Sequence, residues 1–561
     1  MEESDSTHEG EIPAMSYERA FLEAIRETPD DDAPRLIYAD WLDEQGGGER
    51  SAQAAFIRAQ CRLAALAEDD PAREILEDEE AELLAEYERA WTQPLHGLVE
   101  DWRFSRGFLE HVQIRADNLL THAERLFDFA SLRSLHVLIP FKDVPLLASC
   151  PHLRWIETLD FARCQLNDRA LQHLLSSPHL KRLRALHLTG NNISAPGIHA
   201  LIRSPLYRTL RSLDLSRNIA IGDTAARLLA RTERAEHLEY LNLADTNLGL
   251  NGAFELFQSH ALPSLSDLNV SRAHLPSTVP NLHLRTPFEV NLTCLNRLDA
   301  SGIRQSSHLT ALLSSPSLCR LRDLHLRDSQ AESRTIEWLS RSLFASNLRS
   351  LDLRNNRLNA EGARLLAESV QFPSLRALSL DANNLRDEGA MAVAQMANLR
   401  SLSLAGNGIG GPGLKTLAES NRLCELRALN LASNFINAES VRALAESPHL
   451  RLLRGLNLSD SFLEEESGRI LGSTANLQHL TELRLAKNLL GDAGARAIAQ
   501  SPCLQRLVLL DLNDNRIGKA GAEALSTASW PRMRRLDVRG NVFTDTQENL
   551  LRGSFGEAVM L

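Results

Sequence analysis

A chain of 561 residues exceeds what one ordinary compact core can hold, so the sequence must form several domains or one extended repeat array. Aromatics make up only 5% of residues against 43% hydrophobic overall, which excludes an aromatic-rich core and indicates one built chiefly of leucine and alanine. The net charge of −12 leaves no basic excess for a nucleic-acid binder, but it is uneven: residues 1–100 carry 27 Asp and Glu against 8 Lys and Arg, and the remainder is net basic, so the two regions can attract one another.

Residues 1–15 lack the basic start and apolar stretch of a secretory signal and read as a disordered tail. No apolar run approaches the ~18 residues of a membrane span. The seven cysteines (Cys61, Cys150, Cys164, Cys294, Cys319, Cys424 and Cys503) show neither paired nor metal-ligand spacing and read as reduced, mostly buried thiols. These features predict a cytoplasmic protein, and the triplets at Asn192 and Asn291 are then not glycosylation sites.

Residues 16–66 read as a three-helix domain. Ser16 is expected to cap the first helix, with Phe21, Leu22 and Ile25 as its apolar face. Asp32 is expected to cap the second, where Leu36, Ile37, Trp41 and Leu42 lie together before Gly46–Gly48 stop it. The third presents Phe56, Ile57 and Leu63. Asp30, Asp31, Asp32, Asp40, Asp43 and Glu44 have the oxygens a hard cation favours, but their spacing matches no calcium loop; capping and surface charge account for them, and no metal or cofactor is expected. Tyr38 and Trp41 are expected in the core. The words PDDDAPRLIYADWLDEQG (Pro29–Gly46) and AAFIRAQ (Ala54–Gln60) resemble the repeat-companion domain found ahead of leucine-rich repeats in many bacterial proteins. That resemblance identifies a module and implies no activity.

Residues 67–105 read as an acidic linker helix and an N-terminal cap. Ile75, Leu76, Leu83, Leu84, Tyr87 and Trp91 fall on one helical side and carboxylates crowd the rest, so the helix should dock on the first repeat.

From residue 106 to 548 the pattern L-x-x-L-x-L-x-x-N-x-L recurs in sixteen copies, most of them 27 residues apart, after a degenerate copy at Leu109, Val112 and Ile114. Alternating leucines such as Leu378 and Leu380 give each copy a half-buried strand. An Asn follows at the ninth position, at Asn191, Asn218, Asn356, Asn383, Asn407, Asn434, Asn488, Asn515 and Asn541, where a buried amide would bond the backbone leaving the sheet; Cys164 and Thr246 take its place in two copies. A Gly and an alanine-rich segment then predict a convex helix, ended by Ser-Pro as at Ser447-Pro448. One copy cannot cover its own apolar face, so stability must come from stacking. The fold class predicted is α/β: a leucine-rich-repeat solenoid, a horseshoe with a parallel concave sheet and convex helices, preceded by a small all-α N-terminal domain.

Pro276, Pro280 and Pro287 make a regular helix improbable in 276–290, which reads as an extended convex segment, a hinge or a docking loop. Residues 549–561 offer Leu550, Leu551, Phe555 and Val559 as a C-terminal cap. The repeats resemble the ribonuclease-inhibitor class, whose members include the Ran GTPase activators and immune-receptor sensor domains. The resemblance implies a protein-binding surface, with GTPase activation as an alternative.

No Walker loop, dinucleotide fingerprint, zinc spacing, HExxH or G-x-S-x-G occurs, so no catalytic residue is assigned and no enzyme activity is expected. The fifth position of each copy should line the concave face: His136, Asp160, His187, Asp214, Asn242, Asn269, Asp299, His325, Asp352, Ser379, Ser403, Asn430, Asn457, Arg484, Asp511 and Asp537. It is either a structural feature of the repeat or a polar ligand surface, and its lack of Tyr and Trp argues against strong anchors there. A second column, Arg133, Arg184, Arg211, Arg322, Arg349, Arg376, Arg400, Arg427, Arg454 and Arg534, forms a stripe along one edge; it reads as solvated charge paired with carboxylates rather than an anion track. The expectation is a monomeric scaffold or adaptor for unidentified protein partners, using neither membrane nor nucleic acid. A subsidiary expectation is that the acidic module folds over the repeats and blocks them.

Overall fold

The computed structural model describes residues 14–67, 70, 72–129, 131–138, 143–232, 235–272, 291–302, 313 and 315–561. The tail before residue 14 and the proline-containing stretch 276–290 lie outside them. The chain divides into two compact units: residues up to 252 with 260–264, and residues 253–259 with 265–561.

The first unit begins with four helices, α1 (Ala14–Glu27), α2 (Ala33–Gln45), α3 (Gly48–Ala65) and α4 (Ala72–Thr92). Helix α1 starts before Ser16, which is therefore inside the helix and not its cap. Leu22, Ile25, Tyr38, Ala39, Leu42, Ala54, Ile57 and Cys61 form one core, with Phe21 and Trp41 packed against it. The same core contains Phe108, which belongs to the sheet. The helical module is thus fused to the first strands rather than folded apart from them. Leu36 and Ile37 are exposed, because α2 turns Tyr38, Ala39 and Leu42 inward instead. On α4, Trp91 packs on Phe56 and Phe104, while Ile75 is 72% exposed.

Strands β1 (Asp101–Ser105) and β2 (Phe108–Arg115) form an antiparallel hairpin. Its turn residue Gly107 has φ +86°, and a Cβ there would lie 2.5 Å from the Ile57 Cα, so only glycine lets the hairpin seat against α3. The degenerate copy at Leu109 is a true rung: β2 pairs in parallel with β3 (Ser134–Leu138), Val112 beside Leu135 and Ile114 beside Val137. Parallel pairing then continues rung by rung to Tyr240–Asn242.

The second unit repeats this plan from Asp267–Asn269 to Arg535–Asp537. Each strand is three residues long, and its middle leucine, such as Leu378, Leu402 or Leu483, is buried between neighbours. Short helices of eight to ten residues flank the sheet in most copies. Their recurrent glycine has a local reason. At Gly413 the Asp387 carboxylate of the preceding repeat accepts hydrogen bonds from the Gly410 and Gly413 amides at 2.7 and 3.0 Å, and a Cβ would meet that oxygen at 2.6 Å. Asp492 does the same for Gly518 and Gly521. An acid in one repeat therefore caps the helix of the next.

The C-terminal end carries a helix, Asp545–Phe555, opened by a Thr544/Gln547 capping box, and a last short strand, Val559–Met560, beside Leu536 and Asp537. Leu551 is buried and Phe555 stacks on Trp530, but Leu550 is 40% exposed and adds little to the cap.

Candidate binding surface

The strand column lies in register. His136, Asp160, His187, Asp214 and Asn242 stand side by side in the first unit. In the second unit Asn269, Asp299, His325, Asp352, Ser379, Ser403, Asn430, Asn457, Arg484, Asp511 and Asp537 occupy the same place on successive strands.

Most of these side chains already have a partner in the backbone. Asp160 accepts from the Ala162 amide at 2.8 Å, Asp214 from Ser216 at 2.8 Å, Asn242 from Ala244 at 3.0 Å and Asn457 from Ser459 at 3.0 Å. Asn269, Asp299, Asp352, Asn430, Asp511 and Asp537 make the same bond two residues on. The bond closes an Asx turn that ends the strand and delivers a left-handed residue, as at Arg217 (φ 57°) and Asp460 (φ 54°). Asp and Asn suit this turn, though Asp328, Ala382 and Lys487 take the same left-handed conformation after His325, Ser379 and Arg484. His136, His187, His325, Arg484, Ser379 and Ser403 are the positions that depart from Asp and Asn.

The asparagine ladder follows the turn. Asn434 accepts from the Asn407 and Ile409 amides at 3.1 and 3.0 Å and donates to the Leu404 and Leu431 carbonyls at 3.0 and 2.8 Å. Asn191, Asn218, Asn356, Asn383, Asn407, Asn488, Asn515 and Asn541 bond in the same manner, each tying its own turn to the repeat before. Cys164 substitutes with its thiol on the Val137 carbonyl, and Thr246 bonds Leu243. Ser329 and Ser461 also occupy ladder positions, which the search for Asn passed over. Of the cysteines, Cys61, Cys150 and Cys164 are buried, whereas Cys319 and Cys424 are exposed.

Charge is locally compensated on the open face of the second unit. Burial pushes the Asp352 carboxyl up, but hydrogen bonds from Arg354 and Arg327 outweigh it and hold the group below its ordinary value. Asp537 is held down in the same way by Arg539, and Asp299 by His325 and Ser301. Asp511, without such a donor, is raised by burial and by Asp537.

The arginine stripe precedes each strand, and its neighbours are set by the backbone ladder. In the first unit this edge column reads Glu110, Arg133, Glu157, Arg184, Arg211, Glu239. The signs are mixed and the charges meet. Arg133 reaches Glu157 at 2.7 Å and Glu110 at 3.6 Å, and Arg211 reaches Glu239 at 3.1 Å. The loop between α1 and α2 completes the network. Asp30 lies 2.8 Å from Arg133 and 3.7 Å from Arg184, Asp32 lies 3.3 Å from Arg106, and the Pro29 and Asp30 carbonyls accept from Arg133 and Arg106. Arg35, wholly buried, meets the buried Glu110 at 2.5 Å. Asp32 makes no side-chain cap to α2, contrary to the capping expectation, because it faces Arg106; Asp40 and Asp43 hold Arg58. Of the acids that suggested a cation site, Asp30 and Asp32 therefore seat the module on arginines at the strand-start edge of the first unit. Among the described residues no cluster of His, Cys, Asp or Glu could hold a metal ion.

In the second unit the same edge column reads Ser266, Asn296, Arg322, Arg349, Arg376, Arg400, Arg427, Arg454, Thr481, Val508, Arg534. Six successive rungs carry arginine.

One further feature escaped the sequence reading. Phe435 and Phe462, each 66% exposed, stack with ring centres 6.2 Å apart. Both follow the ladder position, where other copies carry polar residues, glycine or the aliphatic Ile219, Leu489 and Val542, and an aromatic there in two successive copies was the available signal. Phe462 has φ 60°, the left-handed conformation that this repeat position also takes at Gln165, Asn247, Gln330, Asn384 and Arg516. The same two repeats contribute Ala428, Asn430, Gly455 and Asn457 to an open depression of about 220 Å³ that Leu402, Glu482 and Arg484 also line.

Parallel rungs, flanking helices and an asparagine ladder define a leucine-rich-repeat solenoid, and the chain is a leucine-rich-repeat protein. The leucine-rich-repeat family model matches residues 179–201, 208–230, 234–257, 345–367, 373–394, 395–418, 476–499 and 504–526. Among solved structures the chain is similar to a leucine-rich-repeat protein of Leptospira interrogans (19% identity, 75% of this chain and 98% of that one, TM-score 0.37). It is also similar to an internalin of Listeria monocytogenes (16% identity, 75% and 94%, TM-score 0.32) and to a TDR receptor (18% identity, 73% and 63%, TM-score 0.32). No curated protein matches the chain. No helix among the described residues is long and apolar enough to cross a membrane.

Proposed function

We propose that this protein is a non-enzymatic scaffold or adaptor that binds protein partners on its repeat surface. The observation that carries the reading is the exposed, stacked Phe435–Phe462 pair. Two stacked aromatic rings held in solvent offer an interface anchor to a partner. The strand column supplies a polar rim through the positions its turns leave over, chiefly His325, Ser379, Ser403 and Arg484. The 27-residue strand-and-helix repeat supports a ribonuclease-inhibitor-like class, and the fused helical module supports a repeat-companion domain.

The test is proximity crosslinking of the full chain in its native lysate against the double variant Phe435→Ser, Phe462→Ser. The reading expects the variant to fold normally and lose partners; an unchanged partner set contradicts it. The GTPase-activator alternative rests on resemblance alone, and a scaffold leaves GTP hydrolysis by small GTPases of the same lysate unchanged.

A further inference from the structure

We propose that the edge Arg322–Arg349–Arg376–Arg400–Arg427–Arg454 is a docking surface for an extended acidic peptide segment of a partner. This deepens the scaffold reading, on which it rests, by naming a surface and a partner chemistry. Three observations carry it.

The first is register. Each arginine amide bonds the carbonyl of the one before, Arg349 to Arg322, Arg376 to Arg349, Arg400 to Arg376, Arg427 to Arg400 and Arg454 to Arg427. The six side chains therefore leave adjacent strands at about 4.8 Å intervals, a row about 24 Å long that matches some seven extended residues. Like charges so placed repel; Glu425 lies 3.7 Å from Arg400, and Arg376 donates to the Leu375 and Asn398 carbonyls.

The second is the contrast with the equivalent column of the first unit, where Glu110, Glu157 and Glu239 alternate with arginine and neutralise it. The column does not demand arginine at every rung, so the uniform run is a property of this stretch alone.

The third is a worked example inside the molecule. The segment Pro29–Asp32 docks on arginines of the equivalent edge of the first unit by presenting Asp30 to Arg133 and Arg184 and a backbone carbonyl to Arg133. An acidic peptide satisfies guanidinium groups with both carboxylates and carbonyls, as that loop does. A single-stranded nucleic acid also favours large stacking platforms, and none of the six rungs carries Phe, Tyr or Trp at strand or edge.

The experiment measures binding of a labelled peptide of about eight glutamates to the full chain by fluorescence anisotropy, against the glutamine peptide and an RNA oligomer of equal charge. The expected result is binding of the acidic peptide that weakens with salt and falls roughly tenfold or more in Arg349→Gln, Arg376→Gln, Arg400→Gln. The reversed variant with Glu at those three positions then prefers a lysine peptide, a gain that misfolding cannot mimic. Equal binding of the glutamine peptide, no effect of the variants, or tighter binding of RNA overturns the proposal. If peptide binding fails while crosslinked partners remain sensitive to Phe435 and Phe462, the scaffold reading stands and this surface falls.

Discussion

The same edge of the same repeat is built in two ways in this chain. In the first unit acids and arginines alternate down the column, and Asp30 closes the arginines that are left. In the second unit six arginines follow one another. Since the backbone ladder, the Asx turns and the asparagine bonds are alike in both, the fold does not dictate the edge. Charge there is free to serve assembly within the chain in one unit and recognition in the other.

The strongest way to break the comparison is at the buried end of the first-unit network. Arg35→Ala leaves Glu110 buried without its partner and should cost about 3–5 kcal/mol, read as a lower urea midpoint. Hydrogen exchange should locate the loss in residues 14–138, whereas Arg349→Ala, on an exposed edge, should change stability by no more than about 0.5 kcal/mol. Equal effects would mean that the two edges are not differently used.

A change to what the units share should act on either. Asn407→Ala strands the Asn383 and Leu385 amides inside the turn and should cost about 2–4 kcal/mol by chemical denaturation. A smaller effect sharpens the comparison of charge. Arg354→Ala should cost roughly 1–2 kcal/mol at neutral pH. Asp352 has a folded-state pKa below its unfolded one, so its contribution is present above about pH 4 and is lost as pH falls through the lowered value. The wild-type and Arg354→Ala stability curves should therefore converge in acid; a constant gap would show that Asp352 is not the partner that matters. The smallest effect is expected at Asp30, 64% exposed, where Asp30→Asn should cost only about 0.5 kcal/mol yet loosen the loop in hydrogen exchange.

The repeat register was readable because it is local and periodic: leucine spacing fixes which residue of each strand turns inward, and Val112 and Ile114 could be placed from pattern alone. The polar column was legible in position but not in role, since Asx turns and a ligand surface ask for the same side chains. The Arg35–Glu110 pair was not legible. It joins residues 75 apart through packing of α2 on β2, and nothing near Arg35 in the sequence announces an acid. The same non-local packing exposes Ile37 and Ile75, which helical periodicity alone would bury. Phe435 and Phe462 could have been noticed as departures from the repeat, because an aromatic after the ladder residue has nowhere to go but solvent.

The most direct measurement is a hydrogen-exchange footprint of the full chain with and without the glutamate peptide. Added protection should fall on the strand starts between Arg322 and Arg454 and spare those at Arg133 and Arg184, where Asp30 is already seated. Protection at the first-unit edge, or spread evenly over both units, would contradict the division of labour between the two edges.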